Sequence, residues 1–191
     1  MDSLEYNRRA LLTESKPTEL NFGEVGLHIL MNAAINMGEI MNIAKRTMFY
    51  GKAFDAEKVR TLAEAQGGYA QLLFELSDKL ATKNDKGDYD ALPEEARSVD
   101  PKNLNLRLLH CAFGINTESA ELLEAMRDQL EGKPFDKVNF AEELGDVDWY
   151  KQVGHAETGV PESETRAKNV AKLELRNKGQ TFNAEATINR D

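Results

Sequence analysis

Four acidic residues stand at spacings that could hold a metal ion. Glu118 and Glu121 fall in the stretch TESAELLEA, and Glu143 and Asp146 in FAEELGDVDWY. Each pair is spaced i, i+3, so on a helix both carboxylates leave one face, a turn apart. Each pair also has apolar company: Ile115, Leu122 and Ala125 around the first, Phe140, Val147 and Tyr150 around the second. A carboxylate on a core-facing stripe is costly unless a proton or a cation neutralises it. Four of them gathered between two antiparallel helices would repel one another. Hard oxygen ligands with no Cys or His among them are the donor set for Mg²⁺ or Mn²⁺. A single E-x-x-E is commonly a solvated face. Two acidic pairs on apolar faces, on either side of a turn, form a pattern that chance rarely produces. The expectation is a divalent-metal site built between two helices.

The elements that must position these acids are helical, since no alternating strand pattern appears. The first long helix is predicted over about 23–48, with Leu27, Leu30, Met31, Ala34, Met37, Met41 and Ala44 inward. A turn at Tyr50-Gly51-Lys52 leads to a second helix over about 55–81, capped by Asp55, with Val59, Leu62, Leu72, Leu73, Leu76 and Leu80 inward. Residues 82–99 are polar, contain Gly87 and Pro93, and read as a linker. The third helix is predicted to start at Asp100-Pro101, an N-cap followed by proline at the first helical position, and to run to about Glu131. Gly132-Lys133-Pro134 makes the next turn. A fourth helix over about 136–155 and a fifth over about 161–178 follow, and the last residues read as irregular. The fold class is therefore all-α, a bundle of about five main helices.

The two halves resemble each other. MGEIMNIAKRTMFYGKAFD (37–55) parallels SAELLEAMRDQLEGKPFD (119–136), and LAEAQGGYAQL (62–72) parallels FAEELGDVDWY (140–150). Both read helix, Gly-Lys turn, helix, with a Phe-Asp pair two residues after the lysine. An internal duplication, a pseudo-dimer, is the inference. Against Glu118, Glu121, Glu143 and Asp146 the first half offers Asn36, Glu39, Ala65 and Gly68, so only one acid is retained and no metal site is expected there. The domain reading is a degenerate hairpin half over 1–81, a linker over 82–100, a metal-binding half over 101–178 and a tail over 179–191.

The chain has 191 residues, 41% of them hydrophobic and 30% charged, enough for one sizeable domain or two small halves. Its net charge of −9 and pI near 5.0 argue against a broad nucleic-acid surface. They leave a nucleotide substrate open, because bound cations reverse the local potential. A single cysteine, Cys111, lies in an apolar helical run and reads as a reduced core residue, so no disulfide framework exists. The opening residues lack an apolar signal core and no run is long enough for a membrane span, so a cytoplasmic protein is expected. His28 and His110 fall in apolar helical runs and read as satisfied or partly buried. Met31, Met37, Met41 and Met48 read as adaptable core. Trp149 and Tyr150 have ring faces that could stack a base, although Trp149 is read first as core packing.

E-x-x-E, a helix turn, then E-x-x-D within an EELGD-type sequence resembles the MazG-like all-α nucleoside triphosphate pyrophosphohydrolases. That superfamily also holds dimeric dUTPases and phosphoribosyl-ATP pyrophosphohydrolases. The likeness covers about 105–177 well, and 23–80 more weakly through the repeat. Asn169, Lys172 and Arg176 form an N-x-x-K-x-x-x-R row similar to the family's phosphate-contacting residues, and Phe182 with Asn189-Arg190-Asp191 looks like the ending of phage-encoded members. The resemblance implies a metal-dependent helical core that cleaves NTP or dNTP to the monophosphate and pyrophosphate. It implies Glu118, Glu121, Glu143 and Asp146 as Mg²⁺ ligands, Mn²⁺ being the other candidate. Thr117 stands where many members have a further acid. Glu118 is the favoured general base, and Glu124 and Glu142 are the nearby acids that could hold a second ion or a water. Asn169, Lys172 and Arg176 would meet the triphosphate, and a folded-back tail would bring Arg190 to it. The implied partner is a nucleoside triphosphate, with neither nucleic acid nor membrane; a homodimer is an assembly the likeness allows. A phage-encoded member would work in the host cytoplasm. The other readings are a non-catalytic nucleotide-binding or interaction bundle, or a dUTPase or phosphoribosyl-ATP pyrophosphohydrolase of the same superfamily.

Overall fold

A computed structural model describes residues 3–15, 23–80 and 104–177. Six helices are present among the described residues, and no strand. They are α1 (Ser3–Ala10), α2 (Glu24–Tyr50), α3 (Ala56–Leu80), α4 (Leu106–Leu130), α5 (Lys137–Thr158) and α6 (Glu162–Asn177). The expected all-α class is thus the observed one. The predicted linker, the Asp100-Pro101 cap and the C-terminal tail with Phe182 and Arg190 lie outside the described residues.

Among the described residues two compact units form: residues 3–15 with 104–169, and 23–80 with 170–177. Tyr6, Ala10, Thr13 and Glu14 of the N-terminal segment bond to the α4–α5 hairpin. α6 crosses from the first unit to the second after Asn169.

In the second unit α2 and α3 pair as an antiparallel hairpin. α2 ends at Gly51, whose φ of 66° is left-handed, and Lys52 N–H donates to Arg46 O at 3.2 Å, closing the helix end. Three residues on, the Asp55 carboxylate accepts from Lys58 N–H at 3.0 Å and caps α3, as its sequence position predicts. Along α2 the buried positions are Gly26, Leu27, Ala33, Asn36 and Ile43. Met37, Met41 and Met48 point away instead, and Met48 is 68% exposed. Met31 is half-buried, so of the stripe read as core only Met37, Met41 and Met48 are corrected to exposed positions. In a two-helix hairpin only a narrow strip of each helix is covered, and on α2 that strip holds Leu27, Ala33, Asn36 and Ile43. His28 is also on the exposed side, 3.8 Å from Glu24.

Gly67 and Gly68 sit in exposed positions of α3, with open space where a Cβ would be. Glycine inside a helix costs backbone entropy with no packing gain here. Gly67→Ala and Gly68→Ala are each expected to stabilise the protein by roughly 0.5–1 kcal/mol in urea unfolding. A loss of stability from both would mean that this surface is covered.

In the first unit α4 and α5 form the main hairpin. α4 starts at Leu106, because the Asn105 side chain accepts from Leu108 N–H at 3.0 Å. The cap therefore lies later than the predicted Asp100, and residues 104–105 are not helical. Gly132, with φ of 88°, turns the chain after α4, and Asp136 caps α5 by accepting from the N–H groups of Val138 and Asn139. The short turn makes the two helices antiparallel neighbours. Val153, 1% exposed, is the most enclosed apolar side chain among the described residues.

α1 is an element the sequence reading did not assign. Eight residues with few apolar positions carry too little periodicity to be seen. It is held against α5 by two polar anchors. Trp149 Nε1–H lies 3.0 Å from Ala10 O and 2.9 Å from Thr13 Oγ1, and the Tyr6 hydroxyl donates to Gly145 O at 3.1 Å. Trp149 is thus a packing residue whose indole N–H ties down the N-terminal segment.

Candidate metal centre

The register of the α4–α5 hairpin can be followed turn by turn. Going forward along α4 and backward along α5, Arg107 meets Glu157, Cys111 meets Gly154, Gly114 meets Tyr150, and Glu118 meets Asp146. Close approach is enforced at the third of these steps. A Cβ on Gly114 would stand 2.1–2.3 Å from three atoms of the Tyr150 ring, so only glycine lets that ring lie on the α4 backbone. One turn further, oxygens of Glu118, Glu143 and Asp146 all lie within 4.8 Å of one another. Gly114→Ala is therefore expected to cost about 1–3 kcal/mol by overpacking and to spread the acids apart. Urea unfolding with tyrosine fluorescence checks this, and an unchanged midpoint would show that the ring moves freely.

The three acids differ in setting. Glu143 is buried at 8% exposure, Glu118 is half-buried and Asp146 is exposed. Glu121 is exposed and is not one of the three that converge, though its charge reaches Glu143. The reading of all four as core-facing holds in full only for Glu143, because an i, i+3 pair straddles the edge of the contact between two helices. Burial pushes the Glu143 carboxyl above the usual carboxylate range. The charge of Glu121 adds to this, then a hydrogen bond and the charge of Glu118, and then Asp146. Tyr150 is likewise raised, by burial first and then by the charges of Glu118 and Asp146. Among the described residues no lysine or arginine pairs with Glu118, Glu121, Glu143 or Asp146. Thr117 Oγ1 lies 2.9 Å from Gly114 O and 3.2 Å from Glu118 Oε1, and its single proton can serve either oxygen.

The other candidates are placed as follows. Glu124 is exposed and lies 3.6 Å from Arg127, and Glu142 is exposed. Asn169 and Lys172 are exposed on α6, whose span keeps them and Arg176 at helical spacing. Lys172 and Arg176 belong to the second unit, and the Arg176 side chain, like Arg190, falls outside the described residues. Cys111 is a half-buried free thiol raised by burial. His110 packs edge-on to Trp149 and Tyr150, with ring centres 6.1 and 5.4 Å away, and its Nδ1 is buried without a partner.

In the first-half hairpin, the positions matched to the acids are neutral or paired. Asn36 donates to Leu62 O at 2.7 Å and to Gln66 Oε1 at 3.0 Å, and Glu39 is bound by Lys58 at 3.0 Å. Like charges meet in one hairpin, where the other has matched donors and acceptors.

Sequence reasoning missed Tyr6. Burial raises its phenol first, followed by the charges of Asp148, Asp146 and Glu162, so it stands beside the acid-bearing face of α5. It also missed Arg107, whose partners lie far away in sequence and leave no local pattern. Comparison with protein-family models, with curated proteins and with solved structures finds no match to this chain.

Proposed function

We propose that this chain is a metal-dependent nucleoside triphosphate pyrophosphohydrolase of the MazG-like type, releasing pyrophosphate from NTP or dNTP. The observation that carries the reading is the convergence of Glu118, Glu143 and Asp146 within 4.8 Å, with no cationic side chain among the described residues to neutralise them. An all-carboxylate set of this kind fits a hard divalent cation better than a soft one. Glu118, Glu143 and Asp146 would hold the ion, with Glu121 beside them. When bound, it supplies charge neutralisation for phosphate oxygens and a more acidic water. The protein's own part is to orient and to take a proton. Thr117 stands within hydrogen-bond reach of Glu118, which is the candidate general base. Tyr150, its phenol raised first by burial and then by the charges of Glu118 and Asp146, stands beside the acids.

The test is pyrophosphate release across a panel of NTPs and dNTPs, with Mg²⁺ and with chelator. Mg²⁺-dependent release of pyrophosphate together with the monophosphate is expected. Release of orthophosphate alone, or no turnover of any of them with Mg²⁺ or Mn²⁺, would overturn the proposal.

A further inference from the structure

The N-terminal segment lies along α5 in a fixed register. Tyr6 meets Gly145, Ala10 and Thr13 meet Trp149 one turn on, and Glu14 shares Arg107 with Glu157. Advancing through the segment means advancing along α5, so the two run parallel. Ties spread over this length leave the first of them little freedom to slide. Tyr6 is therefore held at the level of the acids by contacts that the acids themselves do not make.

The Tyr6 hydroxyl donates at 3.1 Å to Gly145 O, the carbonyl of the peptide that joins Gly145 to Asp146. Inside a helix such a carbonyl already accepts from the N–H four residues on, so the phenol is not needed to satisfy the backbone. Burial first, and then the charges of Asp148, Asp146 and Glu162, raise the phenol, so at neutral pH it is a donor. Those three carboxylates are not equivalent. Asp148 is bound by Lys151 at 2.6 Å and Glu162 by Arg166 at 2.6 Å. Asp146 has no cationic partner among the described residues, and it is the exposed member of the converging set. An exposed carboxylate facing two like charges gains by turning toward water. A fixed backbone beneath it opposes that turn, and the Tyr6 bond is made one covalent step from that backbone.

We propose that Tyr6 is a positioning residue of the metal centre: its bond to Gly145 O fixes the backbone of Asp146 and couples the N-terminal segment to the acid cluster. This rests on the metal reading of the acids and not on the reaction they would serve. Coupling between two sites is reciprocal. If the docked segment raises Mg²⁺ affinity by some factor, Mg²⁺ must favour docking by the same factor. Arg8 and Arg9 are exposed in the last turn of α1, so trypsin can release Tyr6 whenever the segment opens.

Calorimetric titration of the full chain with Mg²⁺, and with Mn²⁺, compares the wild type with Tyr6→Phe, which keeps the ring and removes the hydroxyl. Binding about tenfold weaker is expected in the variant, the lower end of what losing an outer-shell partner costs. Its metal-free melting temperature should match the wild type, because only a supernumerary donor is lost. Equal affinity in the two proteins would overturn the proposal. So would a metal-free variant that melts several degrees lower, which would mark the hydroxyl as a structural tie only. Trypsin cleavage after Arg8 and Arg9 gives the reciprocal measurement on the wild type alone. Saturating Mg²⁺ should slow it about tenfold, the same factor read from the other side. Cleavage indifferent to Mg²⁺ would show that docking and metal binding are uncoupled. Failure of the wild type to bind either ion would remove the metal reading and this proposal with it, whereas binding equal in both proteins removes this proposal alone.

Discussion

Glu143→Gln is expected to lower Mg²⁺-dependent pyrophosphate release by about 100-fold or more, the scale on which metal sites respond to losses in their ligand shell. It is also expected to raise the melting temperature of the metal-free protein at neutral pH. Both effects have one origin. Glu143 is the buried member of a like-charged set, and the amide keeps its shape while removing the charge that Glu121, Glu118 and Asp146 oppose. A metal-free variant that melts several degrees lower would show that the carboxylate is structural. Turnover unchanged in the variant would remove the metal reading of the acids.

The pH dependence has a definite sign. The folded Glu143 carboxyl titrates above its unfolded value, so the folded state binds this proton more readily. Its contribution to stability is complete below the unfolded value and is lost as pH rises through the raised one. The advantage of Glu143→Gln should therefore be largest at neutral pH and vanish in acid. Protons and Mg²⁺ compete for the same oxygens, so Mg²⁺ affinity should fall as pH drops through the raised value. Calorimetric titration of Mg²⁺ at several pH values checks this, and affinity independent of pH would contradict it.

Arg107→Ala has the largest expected effect on stability. Arg107 makes two short bonds to Glu14, at 2.6 and 2.7 Å, and a third to Glu157 at 2.6 Å. The Glu14 side chain is 1% exposed, so removing the arginine strands a buried charge. Breaking such a pair costs about 3–5 kcal/mol, and the lower end applies because Arg107 is itself 26% exposed. A loss of about 3 kcal/mol corresponds to roughly 6–12 °C in melting temperature for a protein of this size. The segment after α1 should also detach, since Glu14 is its tie to α4. A double variant, Arg107→Met with Glu14→Leu, should recover most of the loss, because no charge is then left buried. Glu157 refines the test. The Asn105 amide first, and Arg107 second, hold its carboxyl below the usual range. That contribution is present above the unfolded value and lost as pH falls through the depressed one, so the single variant should lose less stability than the wild type on acidification. Equal melting temperatures for wild type and Arg107→Ala would show that the ion pairs contribute nothing net.

Local chemistry was legible in the sequence wherever a signal stays within a few residues. Asp55 caps α3 as its position before an apolar run predicts. The Gly51 and Gly132 turns fall where the Gly-Lys pairs put them. The acids are found on facing helices because an i, i+3 spacing and a short turn leave little choice of register. α4 starts at Leu106 because the Asn105 side chain accepts from Leu108 N–H, a cap that an asparagine without a following proline marks only weakly in sequence.

The sequence by itself thus determined an all-helical chain with an acidic pair on each arm of one hairpin, since helical period and turn chemistry are local properties. Tertiary structure alone decided which acids converge. Gly114 admits the Tyr150 ring, the helices close at that level, and Glu118 reaches Glu143 and Asp146 while Glu121 is left at the rim. It also decided that Met37, Met41 and Met48 face outward and that the N-terminal segment packs on α4 and α5. Those outcomes depend on contacts such as Arg107 with Glu14 and Trp149 with Ala10, which pair residues far apart in the chain and follow no periodicity.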